Sequence, residues 1–160
     1  MRLTALGVIV ALGAIACGEK KADQAQAAQT STAQTTATPP PAAPTGGGPV
    51  VEVKMTGNGT NLAAFVPKTL QIAPGSTVRF INVSGGPHNI AFYADSIPAG
   101  AAALLNGGMA NRMDNLSSPF LTNPNDHYDV TFAAGAAKGV YKGYCLPHAA
   151  LGMKIAITVK

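Results

Sequence analysis

Short runs of alternating apolar and polar residues dominate the chain from residue 50 onward. The segments VVEVKM and TVRFINV place apolar side chains at alternate positions, as half-buried strands do. The segments LQIA, HNIAFY, YDVTFAA, GVYKGYC and KIAITVK continue in this style, with Gly, Pro and Asn between them. The pattern predicts an all-β sandwich over residues 50–160, a length sufficient for one hydrophobic core.

The stretch 96–126 interrupts this rhythm. Its AGAAALL segment predicts one or two helical turns, and Gly107-Gly108 then ends the helix. The remaining residues of the stretch have the composition of a loop. We therefore expect an irregular insertion between two strands.

The first sixteen residues have the pattern of a secretory signal peptide. Arg2 supplies a positive charge, and the apolar run from Leu3 to Ile15 is too short to span a bilayer as a mature helix. A buried N-terminal helix is the alternative, but no amphipathic stripe follows. The sequence LGAIACG resembles a bacterial lipoprotein signal, in which a peptidase cuts before a lipid-bearing cysteine, here Cys17. Ordinary signal cleavage nearby is the other alternative.

Residues 17–49 differ sharply from the part that follows. They are rich in Ala, Gln, Thr and Pro and contain no aromatic residue, so they cannot bury enough apolar area to offset their ordering entropy. We expect a disordered tether, attached to a membrane through lipid on Cys17. A disordered chain of this length has a root-mean-square span of roughly 30 Å.

The charge distribution argues against a nucleic-acid partner. Residues 50–160 carry eight Lys and Arg against five Asp and Glu, and the positive charges are dispersed. A basic patch interleaved with aromatic residues, which is the usual nucleic-acid footprint, is missing from the sequence. The positive balance favours acidic partners to a modest degree.

The segment YCLPHAALGM groups a thiol, an imidazole and a thioether at Cys145, His148 and Met153. Cys145 has no cysteine partner within residues 50–160, and His88 lies 57 residues earlier in SGGPHNIAF. Taken singly, a cysteine, histidine or methionine is more often an ordinary core or surface residue than a metal ligand. Together they form the donor set of a blue copper site, two imidazoles and a thiolate with a weak axial thioether. Zinc is the competing metal, but structural zinc sites favour paired Cys or Cys/His ligands without Met.

From residue 51 to 160 the sequence also resembles plastocyanin and its relatives among the cupredoxins. The matching stretches are LAAFVPKTLQIAPGSTVRFINVSGGPHNIAFYADSIPAG and YKGYCLPHAALGMKIAITVK. The resemblance implies a Greek-key β-sandwich with one type 1 copper ion per chain. It also implies that the metal ligands are His88, Cys145, His148 and Met153.

The resemblance further implies two residues that support the copper ligands. Asn89 matches an asparagine that ties the two ligand loops together beside the cysteine sulfur. Pro147 matches a proline whose missing N–H limits hydrogen bonding near that sulfur. The sequence departs from plastocyanins in two ways: the stretch between His88 and Cys145 is longer, and acidic surface patches are not evident.

A nearly uncharged loop surrounds His148 and is the expected electron-transfer surface. The apolar residues on it are Leu146, Ala149, Ala150 and Leu151, and contiguous exposed apolar residues favour a contact patch. In the resembling family, Tyr144 matches a tyrosine on a second, more remote route. We expect a smaller role for Tyr144 because this chain lacks the acidic groups that guide partners to that side.

These observations predict a single-electron carrier and not an enzyme. Four protein ligands leave no open coordination position for a substrate, and a multicopper enzyme needs additional histidines. Only His127 remains, and we expect it in an exposed loop. The alternative is a copper delivery or storage protein. The expected partners are redox proteins such as a cytochrome or oxidase. We expect this protein to be a monomer on the periplasmic face of the cell envelope.

Overall fold

Two four-stranded sheets form the part of the chain that the structure, a computed structural model, describes: residues 47–160. The strands are β1 Val50–Gly57, β2 Ala63–Val66, β3 Thr69–Ile72, β4 Thr77–Asn82, β5 Ala91–Phe92, β6 His127–Thr131, β7 Gly139–Tyr144 and β8 Lys154–Val159. One sheet has the order β2-β1-β4-β6 and the other β3-β8-β7-β5. The pairs β1–β4 and β3–β8 are parallel, and the other pairs are antiparallel. The predicted all-β sandwich is confirmed.

The alternating pattern explains how each sheet buries one face. In β1, Val53 and Met55 are fully buried while Lys54 between them is exposed, and β8 repeats this alternation. Aromatic rings fill the space between the sheets, with Phe132 and Tyr141 packed edge to face at 5.1 Å between centroids. The core therefore holds the two sheets together and fixes which strand ends meet.

Several sequence predictions differ from the observed elements. Strand β2 is missed because its two alanines have low strand propensity. The segment HNIAFY is a strand only at Ala91–Phe92, since its earlier residues pair with the insertion through an isolated bridge between His88 and Leu121. His127 was expected in an exposed loop, which is wrong. It is half-buried and begins β6 opposite Ile81.

The insertion packs against the sandwich and covers part of its core. The short helix α1, Ala102–Gly107, lies where the sequence predicts it and buries Leu105. Met109 and Leu116 are also buried, so the irregular chain after α1 is anchored by apolar contacts. Within the described residues, no helix is long and apolar enough to cross a membrane. The predicted signal peptide, Cys17 and the tether up to residue 46 lie outside the described residues.

Candidate metal centre

Two loops at the same end of the sandwich carry the residues of the candidate metal centre. The loop after β4 carries His88, and the loop between β7 and β8 carries Cys145, His148 and Met153. Tyr144, the last residue of β7, pairs with Ala91 of β5 on one side and with Lys154 of β8 on the other. The strand register therefore brings the ends of both loops together.

Three potential donor atoms converge between these loops. The Cys145 Sγ lies 3.7 Å from His88 Nδ1 and 3.5 Å from His148 Nδ1, and all three atoms lie within 4.8 Å of one another. The two imidazole rings are tilted at 54° with centroids 4.7 Å apart. Atoms spaced in this way can surround a single ion at the bond lengths of imidazole and thiolate ligands, about 2.0–2.3 Å.

The orientation of His88 is fixed by a backbone carbonyl. The ring is fully buried, and its Nε2–H donates a hydrogen bond to the Ser84 carbonyl oxygen at 2.9 Å. Because a carbonyl only accepts, this bond selects the tautomer whose Nδ1 lone pair faces Cys145. Gly85, at φ 74°, shapes the loop here, and a Cβ on it would collide with the Gly57 backbone. Burial lowers the pKa of His88, which keeps the ring neutral and able to ligate.

The Cys145 thiol is buried, and its surroundings shift its pKa in opposing directions. Burial raises the pKa of Cys145, while hydrogen bonds from the backbone N–H groups of Asn89 and His148 lower it. The Asn89 nitrogen lies 3.5 Å from the sulfur. A thiol held protonated by burial is deprotonated when a metal ion binds, so this cysteine suits metal ligation better than exposed thiol chemistry.

The loop from Cys145 to Met153 is closed by its own backbone hydrogen bonds. The Cys145 N–H donates to the Met153 carbonyl at 3.1 Å, and the Met153 N–H donates to the His148 carbonyl at 3.2 Å. A single 3-10 turn, Ala149–Leu151, lies between them and ends at Gly152 with φ 76°. These backbone bonds place Met153, which is itself buried, next to Cys145 and His148.

Asn89 joins the two loops and is itself held by the insertion. Its Oδ1 accepts a hydrogen bond from the Leu146 N–H at 2.7 Å. Its side-chain amide donates to the Ser117 hydroxyl at 3.2 Å and to the Ser118 carbonyl at 3.5 Å. The Ser118 hydroxyl also accepts from the Ile90 N–H at 3.1 Å. Neither serine could be predicted as part of the site, because nothing in the local sequence shows which distant residues they meet.

The side chains expected at the electron-transfer surface are accessible at this end of the molecule. Leu146 is 48% exposed and Leu151 is 42% exposed, while His148 beside them is half-buried. Ala149 is half-buried, and Pro147 and Ala150 are exposed. The apolar surface thus surrounds an imidazole that is only partly covered.

Comparison with known proteins agrees with this geometry. A family described as "Copper binding proteins, plastocyanin/azurin family" matches residues 51–160. The chain belongs to this plastocyanin/azurin family. The match spans both sheets and both ligand loops, so the predicted resemblance to cupredoxins is confirmed.

Individual plastocyanins are similar over the same region. Plastocyanin A/B from Petroselinum crispum is 38% identical over 109 residues, covering 68% of this chain and 98% of that protein. The chloroplastic plastocyanin of Physcomitrium patens is 36% identical over 107 residues, covering 67% of this chain and 56% of that protein. The chain spans about half the length of several such curated relatives.

A solved structure extends the similarity to the fold. The oxidised form of plastocyanin from Dryopteris crassirhizoma superposes with a TM-score of 0.52 at 29% identity. The superposition covers 69% of this chain and 100% of the fern protein. The insertion at 96–126 therefore leaves the plastocyanin sandwich recognisable.

The donor set of the candidate centre fits the copper of this family. Two imidazoles and one buried sulfur converge within 4.8 Å, and the third loop residue, Met153, adds a soft thioether. Soft sulfur donors combined with imidazole are typical of a copper site that cycles between two oxidation states. Copper is the cofactor of this protein.

Proposed function

We propose that the protein is a mobile single-electron carrier with a mononuclear blue copper site. The proposed ligands are His88, Cys145, His148 and Met153. The observation that carries the proposal is the position of the Cys145 sulfur, 3.7 Å and 3.5 Å from the Nδ1 atoms of His88 and His148. A thiolate between two imidazoles is the trigonal arrangement typical of electron-transfer copper.

The protein contributes a ligand set that is held in place by packing and hydrogen bonds. When bound, copper supplies a one-electron couple between Cu(II) and Cu(I). His88 is fixed by the Ser84 carbonyl, Cys145 by the Asn89 N–H, and Met153 by backbone bonds within its loop. Ligands that are buried and already oriented move little when the charge changes, which keeps the reorganisation small. With four protein ligands, no position is left for substrate, so the proposed activity is electron transfer alone.

The experiment that tests this function is copper loading followed by a redox cycle. We expect Cu(II) to produce intense visible absorption from thiolate-to-copper charge transfer, bleached reversibly by one electron equivalent. A copper delivery or storage protein would bind and release Cu(I) without this colour. The variant Cys145→Ser should remain folded, as circular dichroism can show, but lose the absorption. Strong visible absorption in that variant would refute the assignment.

We also propose that the mature protein is anchored to a membrane. The boundaries proposed from the sequence are a signal peptide at 1–16, a lipid-anchored linker at 17–49 and the copper domain from residue 50 to residue 160. Diacylation of Cys17 would hold the protein at the periplasmic face of the cell envelope, since each buried methylene contributes about 0.8 kcal/mol. Fractionation tests this proposal: wild-type protein should sediment with membranes, and Cys17→Ala should be soluble or remain an uncleaved precursor.

The proposed partners are redox proteins that donate and accept single electrons. Carriers of the cupredoxin type act between such partners, and we propose that this chain meets them as a monomer. The apolar surface around His148, formed by Leu146, Ala149, Ala150 and Leu151, is the proposed main contact. It supports transient binding because it is small and carries no charge.

A further inference from the structure

A second exposed surface lies on the outer face of the β3-β8-β7-β5 sheet. An open groove of about 570 Å³ runs across this face, and three lysines line it: Lys68, Lys142 and Lys154. All three are exposed, and none forms a salt bridge within residues 47–160. Asp95 is the one acidic residue that lines the groove. The groove therefore carries a net positive charge, because Asp95 offsets only one of its three lysines.

The strand register places these lysines beside an aromatic pair. Tyr144 lies directly opposite Lys154 in the β7–β8 ladder, where facing Cβ atoms are about 5 Å apart. Lys142 is two residues before Tyr144 and shares its face of the sheet. The ring of Tyr93 stacks on that of Tyr144 with centroids 4.3 Å apart and planes at 24°.

The aromatic pair connects this surface to the candidate copper centre. Tyr144 is bonded to Cys145 through one peptide unit, whereas Tyr93 forms part of the groove wall. The Tyr93 N–H also donates to the Lys142 carbonyl at 3.1 Å, which ties the aromatic residue to the lysine strand. A partner seated in the groove would contact Tyr93, whose ring stacks on that of Tyr144. Tyr144 in turn precedes the proposed copper ligand Cys145 in the sequence.

We propose that this lysine-lined groove is a docking site for an acidic redox protein, separate from the apolar surface around His148. The inference rests on the proposed electron-carrier function and specifies the chemistry of one partner. The charge of the groove indicates the partner: its three ammonium groups, none of which forms a salt bridge among residues 47–160, attract carboxylates. Such charge complementarity guides association. The exchange is one electron, lost by one protein and gained by the other, without bond formation or proton transfer.

This proposal changes the role expected for Tyr144. The sequence predicts a smaller role for Tyr144, because the acidic groups that guide partners to that side are missing. The structure surrounds it instead with Lys142 and Lys154. Positive groups guide an acidic partner as effectively as negative groups guide a basic one, so the surface is suited to a partner of opposite charge.

A binding experiment on the full chain tests the groove without relying on redox activity. In a titration of the ¹⁵N-labelled protein with poly-L-glutamate, we expect amide shifts centred on Lys68, Tyr93, Lys142 and Lys154. The double variant Lys142→Glu/Lys154→Glu should weaken binding by about tenfold, the low end of electrostatic guidance. The matched control Lys54→Glu/Lys138→Glu has the same net charge, but its lysines lie outside the groove. Equal weakening in both double variants would overturn the proposal.

Electron-transfer rates provide the second readout. Oxidation of the reduced protein by anionic hexacyanoferrate(III) should slow about tenfold in the groove variant at low salt and be little changed in the control. Oxidation by cationic tris(phenanthroline)cobalt(III) should not slow in either variant. If neither the wild-type protein nor its variants bind copper, the electron-carrier proposal fails. The poly-L-glutamate titration still shows in that case whether the groove binds an acidic partner. Shifts centred elsewhere on the protein would refute the docking site.

Discussion

The side-chain oxygen of Asn89 accepts a hydrogen bond from the Leu146 N–H at 2.7 Å, and this bond joins two loops that are 57 residues apart in the sequence. Asn89 is fully buried, and its amide group is held in turn by Ser117 and the Ser118 carbonyl. The position of the Cys145 loop relative to the His88 loop therefore depends on one side chain that the insertion holds in place.

Replacing this side chain should destabilise the fold more than it alters the metal site. In Asn89→Ala, the Leu146 N–H and the Ser117 hydroxyl lose their partner, and we expect a cost of about 2 kcal/mol. The backbone N–H of Asn89 that points to the Cys145 sulfur is retained, so the blue colour should persist. Denaturant unfolding of the copper-free protein measures the change without a contribution from metal binding.

An exposed asparagine provides the control for this variant. Asn61 is exposed, and its side-chain oxygen accepts a hydrogen bond from Asn58 within one loop. We expect Asn61→Ala to change stability by no more than about 0.5 kcal/mol. Equal losses in Asn61→Ala and Asn89→Ala would show that the link between the two ligand loops has no special importance.

The sequence predicted the sandwich and the grouping of candidate ligands because both follow from local patterns. Alternating apolar residues define β1, β4, β7 and β8, and Cys145, His148 and Met153 lie in one short loop. Only His88 lies far from them in the sequence. Its imidazole chemistry and the family resemblance indicated that it joins them as a ligand. Local patterns and residue chemistry were therefore sufficient to propose these residues.

The contacts of the insertion could not be predicted in the same way. Ser117 and Ser118 lie in a loop-like segment, and ordinary serines give no sign that they will meet Asn89 and Ile90. Strand β2 was missed because burial of Phe65, not the propensity of its alanines, keeps the segment extended. The lysine-lined groove likewise depends on strand register, which places Lys142 and Lys154 beside one another only after folding.

The axial position should tune the reduction potential without abolishing the site. In Met153→Leu, the weak thioether donor is removed while the buried volume is nearly conserved, so the fold should persist. We expect the blue colour to remain and the potential to rise, because loss of a donor destabilises Cu(II) more than Cu(I). Voltammetry measures the shift.

A second buried methionine separates the ligand effect from packing. Met109 is also buried, but it lies in the insertion and pairs with Val130 of β6. Met109→Leu should leave the potential unchanged. A lowered potential in Met153→Leu, or an equal rise in both variants, would contradict axial ligation by Met153.

The contact between the insertion and β6 should respond to alkaline pH. The Tyr128 hydroxyl donates a hydrogen bond to the Ala110 carbonyl at 2.6 Å, and burial raises the pKa of Tyr128 from 10.0 to about 12. Because the folded state retains this proton more tightly than the unfolded chain, its contribution is fully present below pH 10 and is lost as the pH rises through about 12. Between pH 10 and about 12, the free energy of unfolding of Tyr128→Phe should therefore fall less steeply with rising pH than that of the wild type.

The difference between the two unfolding profiles isolates Tyr128 from other groups. Burial also raises the pKa of Tyr141, so both proteins should retain some alkaline dependence. The free energy of unfolding, measured from pH 9 to 12 by denaturant titration, should converge for wild type and Tyr128→Phe as the pH rises. Parallel profiles would mean that the Tyr128 proton is held no more tightly in the folded state.

The apolar surface around His148 can be tested without knowing the natural partner, by electron self-exchange between oxidised and reduced copies. Leu151 is 42% exposed beside the half-buried His148, so Leu151→Glu would place a carboxylate on each copy at the proposed contact. Repulsion and desolvation of these two like charges should slow self-exchange about tenfold, a cost of about 1.4 kcal/mol. Line broadening in NMR spectra of mixed oxidation states gives the rate.

Leu104 provides a matched control because it is 48% exposed on α1, outside both ligand loops. Residues 50–160 carry more basic than acidic groups, so one added glutamate lowers the general repulsion between copies. Leu104→Glu should therefore leave the self-exchange rate unchanged or raise it slightly. Only a charge within the contact itself can slow the reaction. If both variants slow equally, or if Leu151→Glu leaves the rate unchanged while the visible spectrum is intact, electrons do not pass through the surface around His148.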